Sequence, residues 1–311
     1  MIMIVNKPHR VEQIWFWGLE ESENLMVGGY PKLAAIDLDG TLLSVDGHVP
    51  EGNRDAIRDW VRAGRHLAIL TSRSPQGMRK VLSELNVPCV ASGFSGGLVW
   101  RSSAPDWVNG EALIDISLST DMVDNIWEMC RELKIPTISY TRFSTVGNIR
   151  SDAIEREVTT TGESITYSTK VALDEPIYKL NIMVSTQADG LALRSLPIPR
   201  DVSLNMTRGG NIELTSRDSS KGRALSATYV AMGVSREDTI AVGDGDNDVS
   251  MFRVAGVSMA VPGATDRARE SADILLAGEG PAVVGDALLR ALSWRQPGPE
   301  DYAVLGQYVR R

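Results

Sequence analysis

Short apolar runs that stop at a polar residue recur along the 311-residue chain, and they constrain its fold more than any other feature. Leu33–Ile36 stops at Asp37, His66–Leu70 stops at Thr71, and a third run covers Val87–Ala91. Runs of this kind are typical of strands that are buried on both faces of a sheet. Stretches with helical spacing lie between them, so the order is βαβαβ. This order predicts a parallel α/β sheet with right-handed crossovers.

The same pattern returns near the C-terminus. Thr239–Val242 predicts a strand that ends at a Gly-Asp pair, and two more short apolar runs cover Gly256–Val261 and Asp273–Leu276. A last helix is expected over Val283–Trp294. The two ends of the chain therefore predict one α/β core that is interrupted in the middle.

The pattern of apolar residues over 112–212 differs from the pattern on both sides of it. It predicts an α+β domain inserted into a core made of residues 31–111 and 213–311. Apolar spacing predicts a helix from Met122 to Leu133. Strands are predicted at Thr137–Ser144, Leu180–Ser185 and Val202–Thr207. Glu155–Lys170 is polar and rich in threonine, so a loop is expected there.

Residues 1–30 fit neither domain and are expected to form an N-terminal extension. The extension contains the aromatic segment Trp15-Phe16-Trp17. Packing of these rings on the body of the protein is favoured, and contact with a second subunit is the alternative. The second case would make the protein a homo-oligomer.

Composition and charge exclude several classes of protein. The net charge is −8 and no basic block is present, which argues against a nucleic-acid partner. No apolar run reaches the roughly 18–20 residues needed to span a bilayer, and the apolar start is interrupted before a signal-peptide core forms. We therefore expect a cytoplasmic protein without a membrane partner. Two cysteines and three scattered histidines cannot form a disulfide framework or a histidine-based metal centre.

The strongest chemical signal is Asp37-Leu38-Asp39-Gly40-Thr41, which directly follows the first apolar run. In an open α/β sheet, ligands bind at the carboxyl ends of the strands. Two carboxylates separated by one residue, at the point where a strand enters a glycine turn, can both face one site. The alternative is a solvated turn, because Asp and Gly are common turn residues.

Three further elements lie at strand ends or helix starts. Thr71 and Ser72 follow the second strand and offer hydroxyl and backbone donors. Lys221 is at the start of a predicted helix, where the helix N-terminus favours an anion. The last element follows the strand Thr239–Val242 and supplies Asp244, Asn247 and Asp248. A calcium-binding EF-hand is excluded there, because no glutamate follows at the required position.

In order and content these four elements resemble the haloacid dehalogenase (HAD) superfamily of phosphohydrolases. The insert is similar to the large α/β cap of its Cof-type subfamily, and so are the segments Asn211–Leu214 ahead of Ser220-Lys221-Gly222 and Ala272-Asp273. The resemblance covers about residues 32–293. It implies a Rossmann-like parallel HAD core with an inserted cap domain.

The resemblance also implies a magnesium-dependent phosphomonoester hydrolase. Asp37 would attack phosphorus to form an aspartyl-phosphate, and Asp39 would act as general acid and base. The phosphate would be bound by Thr71, Ser72, Lys221 and Asn247. Mg²⁺ would be held by Asp37, the Asp39 backbone carbonyl and Asp244, with support from Asp248. The expected substrate is a small phosphorylated metabolite, with a sugar phosphate as the favoured class. The alternatives are a phosphomutase with the same core and a non-catalytic regulatory protein.

Two segments depart from the family pattern. Thr71-Ser72-Arg73 stands where Thr-Gly-Arg is common, and Ser95-Gly96-Gly97 stands where Asn-Gly-Ala is usual. The missing asparagine removes the usual contact with the leaving group, so an unusual substrate preference is expected. Weaker candidates are His48, read as a polar loop residue, the cap arginines Arg142 and Arg150, read as solvated, and the cleft candidates Met206 and Arg208.

Overall fold

The computed structural model describes residues 30–171, 174–184, 198–206, 210–278, 280–294 and 299–309. The segment Trp15-Phe16-Trp17 lies outside these residues, as do Arg208 and the predicted strand ends Ser185 and Thr207.

The described strands fall into two sheets. In chain order they are β1 (Leu33–Ile36), β2 (His66–Leu70), β3 (Cys89–Gly93), β4 (Leu98–Ser102), β5 (Ala112–Asp115), β6 (Thr137–Tyr140), β7 (Thr145–Gly147), β8 (Thr166–Tyr167), β9 (Lys179–Ile182), β10 (Val202–Met206), β11 (Ile212–Ser216), β12 (Thr239–Gly243), β13 (Val257–Ala260), β14 (Ile274–Leu276) and β15 (Gly306–Tyr308).

The larger sheet has the order β15-β14-β13-β12-β1-β2-β3-β4-β5. Its centre is parallel, because β1 pairs in parallel with both β12 and β2, which come from opposite ends of the chain. Antiparallel pairing is confined to the two edges, at β3-β4-β5 and at β14-β15. The predicted α/β class with a mainly parallel core is confirmed.

The second sheet has the order β10-β11-β9-β6-β7-β8 and is mainly antiparallel. Successive side chains of β9 alternate between its faces. Leu180 and Ile182 pack in one apolar cluster with Trp127, whereas Lys179 and Asn181 point to the opposite face. The second sheet, with the helices that follow β5 and β7, is called the cap below.

The described helices connect these strands. They are α1 (Glu51–Arg62), α2 (Pro75–Leu85), α3 (Thr120–Glu132), α4 (Asp152–Thr161), α5 (Lys221–Ala231), α6 (Val249–Phe252), α7 (Asp266–Ser271), α8 (Val283–Ala291) and α9 (Pro299–Ala303). Two helices near the predicted site, α2 and α5, begin after a serine N-cap. The Ser74 hydroxyl accepts from the Gly77 N–H, and the Ser220 hydroxyl accepts from the Arg223 N–H.

The loop predicted for Glu155–Lys170 is wrong, because this segment contains most of α4 and all of β8. The Ser151 hydroxyl caps the helix, and Gly162 ends it in the left-handed conformation. Ile154 and Val158 lie four residues apart and are buried in the large apolar cluster. Tertiary packing of these two side chains therefore outweighs the polar, threonine-rich composition.

Other boundaries differ by a few residues. The strand predicted for Thr137–Ser144 ends at Tyr140, where the chain turns back into β7, and the last predicted helix ends at Ala291. β5 pairs in the core sheet and β11 pairs in the cap sheet. The change of sheet therefore falls after Asp115 and after Ser216, a few residues beyond the predicted bounds of the insert. No described helix combines the length and the hydropathy of a membrane-crossing segment.

Candidate active site

Acidic side chains from the two halves of the core meet at the carboxyl edge of its sheet. The Asp37 N–H donates to the Val242 carbonyl at 3.0 Å, so the ends of β1 and β12 lie side by side. Carboxylate oxygens of Asp37, Asp244 and Asp248 lie within 4.8 Å of one another, and all three residues are buried. Residues about 200 positions apart in the chain thus form one acidic cluster.

The turn after β1 brings Gly40 and Thr41 against the Asp244 carboxylate, and it needs glycine at its centre. Gly40 has φ +83°, a conformation that side chains of L-residues rarely adopt. A Cβ atom at Gly40 would lie 2.3 Å from Asp244 Oδ2. The small residue therefore lets the chain approach the acidic cluster.

Lys221 supplies the cation of this cluster. Its ammonium group is fully buried and donates to Asp37 Oδ1 at 2.5 Å and to Asp248 Oδ1 at 2.6 Å. The start of α5 is packed tightly, because a Cβ atom at Gly96 would lie 2.2 Å from the Ser220 carbonyl oxygen. The Gly96 turn therefore helps to place Lys221.

The charges in the cluster shift each other's pKa values. Burial raises the pKa of Asp37 to about 7; the Lys221 ammonium opposes this shift, and Asp248 and Asp244 add to it. Burial lowers the pKa of Lys221, but Asp37 and Asp248 more than reverse that effect and the net shift is upward. Lys221 therefore stays an ammonium, held between the carboxylates of Asp37 and Asp248.

Asp248 holds the loop after β12 in place. Its Oδ1 accepts from Lys221, and its Oδ2 accepts from the N–H groups of Asp244 and Gly245 at 3.0 and 2.8 Å. This carboxylate thereby orients both the cation and the backbone beneath Asp244. Asn247 is exposed, and Lys221 donates its hydrogen bonds to Asp37 and Asp248 instead.

Asp39 lies beside the cluster and is held by Arg73. The guanidinium binds both carboxylate oxygens, with Nε 2.8 Å from Oδ2 and Nη2 2.5 Å from Oδ1. Paired N–H donors of this kind fix the orientation of a carboxylate as well as its position. Arg73 of the segment Thr71-Ser72-Arg73 is thus paired with the predicted acid and base.

The segment after β2 contributes backbone and hydroxyl groups. Thr71 is buried, and its hydroxyl accepts from the Arg73 N–H at 3.2 Å. Ser72 is half-buried, and its carbonyl accepts from the Lys179 ammonium of the cap at 3.4 Å. This segment therefore links the core site to the cap.

Further contacts fasten the cap to the core. Glu163 accepts from the Ser74 hydroxyl of the core at 2.7 Å and from the Thr145 hydroxyl of the cap at 2.8 Å. The rings of Phe94 and Tyr178 stack with centroids 5.1 Å apart. The cap thus lies over the carboxyl edge of the core sheet.

The weaker sequence candidates lie away from the acidic cluster. His48 is near Lys80 and Glu84 on the surface. Arg142 donates to the Val108 and Gly110 carbonyls, so it is a contact between cap and core rather than a solvated residue. The remaining two described candidates are Arg150, which covers the Tyr167 ring, and Met206, which is 72% exposed.

Sequence reasoning gave no role to Lys179, Glu157 or Glu163. Lys179 could have been found from the alternation of β9, because polar side chains recur there at every second position between apolar ones. Glu157 and Glu163 were missed because a loop was predicted for their segment, which gave neither side chain a definite position.

The acidic cluster fits a divalent cation by its chemistry. Three buried carboxylates face one ammonium, so negative charge is in excess, and hard carboxylate oxygens are the donors that Mg²⁺ prefers. Asp37 and Asp244 could act as direct ligands. Asp248 already uses both oxygens in hydrogen bonds and is placed to support them.

The sequence profile of the haloacid dehalogenase-like hydrolases matches residues 34–286. The chain belongs to this family. Among HAD-like relatives, the 5-amino-6-(5-phospho-D-ribitylamino)uracil phosphatase YwtE of Bacillus subtilis is 28% identical over 261 residues, which cover 77% of this chain and 90% of that protein. Phosphatase YwpJ of the same organism is 26% identical over 265 residues, covering 78% and 93%.

Solved structures of HAD proteins have the same architecture. A haloacid dehalogenase-like hydrolase from Bacteroides thetaiotaomicron matches with a TM-score of 0.75 and 23% identity, over 83% of this chain and 98% of that one. The HAD subclass IIB sugar phosphatase BT4131 matches with a TM-score of 0.64 and 19% identity, over 78% and 92%. The resemblance to Cof-type HAD proteins with an inserted cap is thus confirmed, and so is the enzyme class, a HAD-like phosphatase.

Proposed function

We propose that this protein is a magnesium-dependent phosphatase of small phosphorylated metabolites that works through an aspartyl-phosphate. One observation carries the proposal: Asp37 is buried against the Lys221 ammonium and two further carboxylates, and Asp39 lies at the next turn. A nucleophile, a cation for the phosphoryl group and a second carboxylate for proton transfer are therefore available together.

In the first step, a carboxylate oxygen of Asp37 forms a bond to phosphorus while the bond from phosphorus to the leaving oxygen breaks. Asp39 gives its proton to that oxygen, so the product leaves as an alcohol. In the second step, Asp39 takes a proton from water, whose oxygen attacks the phosphorus and releases phosphate from Asp37. Both carboxyl groups return to their starting states.

The phosphoryl oxygens are assigned to Thr71, Ser72, Lys221 and Asn247. Lys221 is oriented for this role because its ammonium donates both to Asp248 and to Asp37, the proposed nucleophile. Mg²⁺ would be held by Asp37, Asp244 and the Asp39 carbonyl with support from Asp248, and when bound it would neutralise the charge that otherwise repels a phosphate dianion.

For the substrate, a sugar phosphate is the favoured class. The cap covers the site, which limits access to small molecules and keeps bulk water away during transfer. The subclass IIB sugar phosphatase shares this architecture, and YwtE is named for a phosphorylated ribityl compound. Both relatives support a polyhydroxylated leaving group.

Phosphate release tests the proposal. The purified protein is incubated with p-nitrophenyl phosphate and with a panel of sugar phosphates, with Mg²⁺ or with EDTA. Release that requires Mg²⁺ is expected from the aryl ester and from several sugar phosphates. Absence of turnover by folded protein across divalent metals contradicts the proposal. Formation of an isomeric monophosphate without free phosphate would instead identify a mutase.

A further inference from the structure

The cap presents a polar cluster on the sheet face opposite α3. Asn181 of β9 lies directly beside Glu213 of β11 in the antiparallel register, and Glu157 of α4 covers them. The Asn181 amide nitrogen donates to Glu157 Oε1 at 3.2 Å, and the Lys179 ammonium lies 3.3 Å from Glu213 Oε1. We call Glu157, Asn181 and Glu213 the cap acceptor cluster.

The cap acceptor cluster adjoins the candidate phosphate site. Lys179 holds Glu213 and at the same time reaches the carbonyl of Ser72, one residue after Thr71. Its ammonium also lies 4.4 Å from the centroid of the Tyr140 ring. Lys179 therefore links the cap acceptor cluster to the segment that carries the predicted phosphate-binding residues Thr71 and Ser72.

One buried polar atom of the cluster has no partner among the described residues. Asn181 is fully buried, and its Oδ1 accepts no hydrogen bond although its amide nitrogen binds Glu157. Buried acceptors are nearly always paired, so an orphan of this kind indicates a ligand or water that supplies the donor. Glu157 also lines a cavity of about 390 Å³ together with Thr160, Met183 and Asn211.

Charge in this region is mainly negative. Glu157 and Glu213 both interact with the Lys179 ammonium, and Glu163 adds a third carboxylate near Glu157. Exposed Arg156 lines the cavity of about 390 Å³. Burial raises the pKa of Glu157; Lys179 opposes this shift, and Glu213 and Glu163 add to it. The carboxylates therefore already repel one another, and a further negative charge between them is unfavourable.

We propose that the cap acceptor cluster binds the leaving group and selects one that presents hydrogen-bond donors, such as hydroxyl, amine or amide N–H groups. It disfavours a leaving group that carries a carboxylate or a second phosphate. The inference rests on the proposed phosphatase function and adds to it the residues that choose the leaving group and the charge that they reject. A site built from acceptors discriminates in this way because a ligand without donors leaves them unpaired.

Two substrates of almost equal size test this inference. Glycerol 3-phosphate and 3-phosphoglycerate differ in one terminal group, a hydroxymethyl in the first and a carboxylate in the second. We measure kcat/KM for both, with p-nitrophenyl phosphate as the common reference. The variants are Glu157→Gln and Glu213→Gln, which keep an acceptor oxygen but remove the charge. The control is Glu132→Gln, an exposed residue of α3 beyond the other face of the sheet.

The wild-type protein is expected to prefer glycerol 3-phosphate by about tenfold or more, because like charges brought together in a site are strongly disfavoured. Each cap variant should narrow that preference at least about threefold, mainly by raising kcat/KM for 3-phosphoglycerate, while Glu132→Gln keeps the wild-type ratio. Circular dichroism shows whether each variant is folded. If one cap variant does not fold, the kcat/KM ratio of the other is sufficient for the comparison with Glu132→Gln.

A wild-type ratio near one, a preference for 3-phosphoglycerate, or ratios in both cap variants equal to that of Glu132→Gln overturns the inference. If the aryl ester is hydrolysed while these outcomes are seen, the phosphatase function stands and only the selection by the cap is wrong. If none of the three compounds releases phosphate, both the proposed function and this inference are wrong.

Discussion

The core site and the cap acceptor cluster both contain buried polar groups, but these groups differ in how completely they are hydrogen-bonded. In the core, Lys221 bridges Asp37 and Asp248, and the second oxygen of Asp248 takes two backbone N–H groups. In the cap, Asn181 Oδ1 has no donor among the described residues. The groups of the core site are therefore paired with one another, whereas the cap cluster keeps an acceptor that, by our inference, a leaving group pairs.

This difference separates two kinds of variant. A change in the core should impair turnover of every phosphate ester, because the reacting groups are common to all of them. A change in the cap acceptor cluster should alter which ester is preferred. The variants below test that separation, from the largest expected effect to the smallest.

Asp37→Asn should lower kcat on all substrates by at least about a thousandfold, because the amide oxygen is a far weaker nucleophile than a carboxylate. The fold should persist, since Lys221 keeps Asp248 as a partner. Initial rates with p-nitrophenyl phosphate and with a sugar phosphate check the prediction. Activity within a few-fold of wild type would show that Asp37 is not the nucleophile.

Lys221→Met should destabilise the protein by about 3–5 kcal/mol, because it leaves two buried carboxylates without their cation. Urea denaturation at neutral pH measures the loss. Lys170→Met, at an exposed position of the cap, serves as the matched control. Equal stability of the two variants would mean that the buried ammonium contributes little.

Asp244→Ala should raise the Mg²⁺ concentration needed for half-maximal activity by at least about tenfold, because Asp244 is proposed as a direct ligand of the cation. Asp246→Ala is the control, since Asp246 is exposed on the same loop and binds Thr265 instead. Metal titrations of activity distinguish the two. Superimposable curves for Asp244→Ala and wild type would contradict a ligand role.

Arg73→Lys should lower kcat by about tenfold with little change in KM, because lysine keeps the charge but cannot bind both oxygens of Asp39. Arg79→Lys, on the exposed side of α2, is the control. The split between kcat and KM is the deciding measurement. A rise in KM alone would indicate that Arg73 contacts substrate and not Asp39.

Glu157→Gln should have the smallest effect, an increase in thermal stability that depends on pH. Burial raises the pKa of Glu157 above 4.5, so the native state binds its proton more tightly than the unfolded state. Ionisation of Glu157 therefore lowers stability as pH rises above that value, and glutamine does not ionise. The Tm of the variant minus that of the wild type should therefore be about 1–2 °C larger at pH 8 than at pH 5. A Tm difference from wild type that is the same at both pH values, as expected for Glu132→Gln, would contradict this prediction.

Local patterns were sufficient for the core. The runs before Asp37, Thr71 and Asp244 are mainly apolar, as is typical of strands buried on both faces, and each stops at the carboxyl edge of the sheet. Because parallel strands present their carboxyl ends on one side, the meeting of Asp37 with Asp244 could be predicted. Glycine at position 40 was part of the same motif, and the structure shows that no larger side chain fits there.

The cap was harder to predict. The segment of α4 is polar and rich in threonine, so its propensity gave no helix, and only the docking of Ile154 and Val158 on the second sheet stabilises one. For the same reason Glu157 had no predicted place. Its position beside Asn181 depends on the helix, which in turn depends on long-range packing.

The order of residues by itself determined that the chain has a parallel core, where its strands end, and which side chains meet at that edge, because these follow from burial and from strand direction. Only the tertiary structure decided that Arg73 binds Asp39, that Asp248 orients Lys221, and that Glu157, Asn181 and Glu213 form one cluster. These pairings join residues from separate elements. Hydrogen-bond geometry across such distances is set by the packing of whole helices and sheets, which no local pattern encodes.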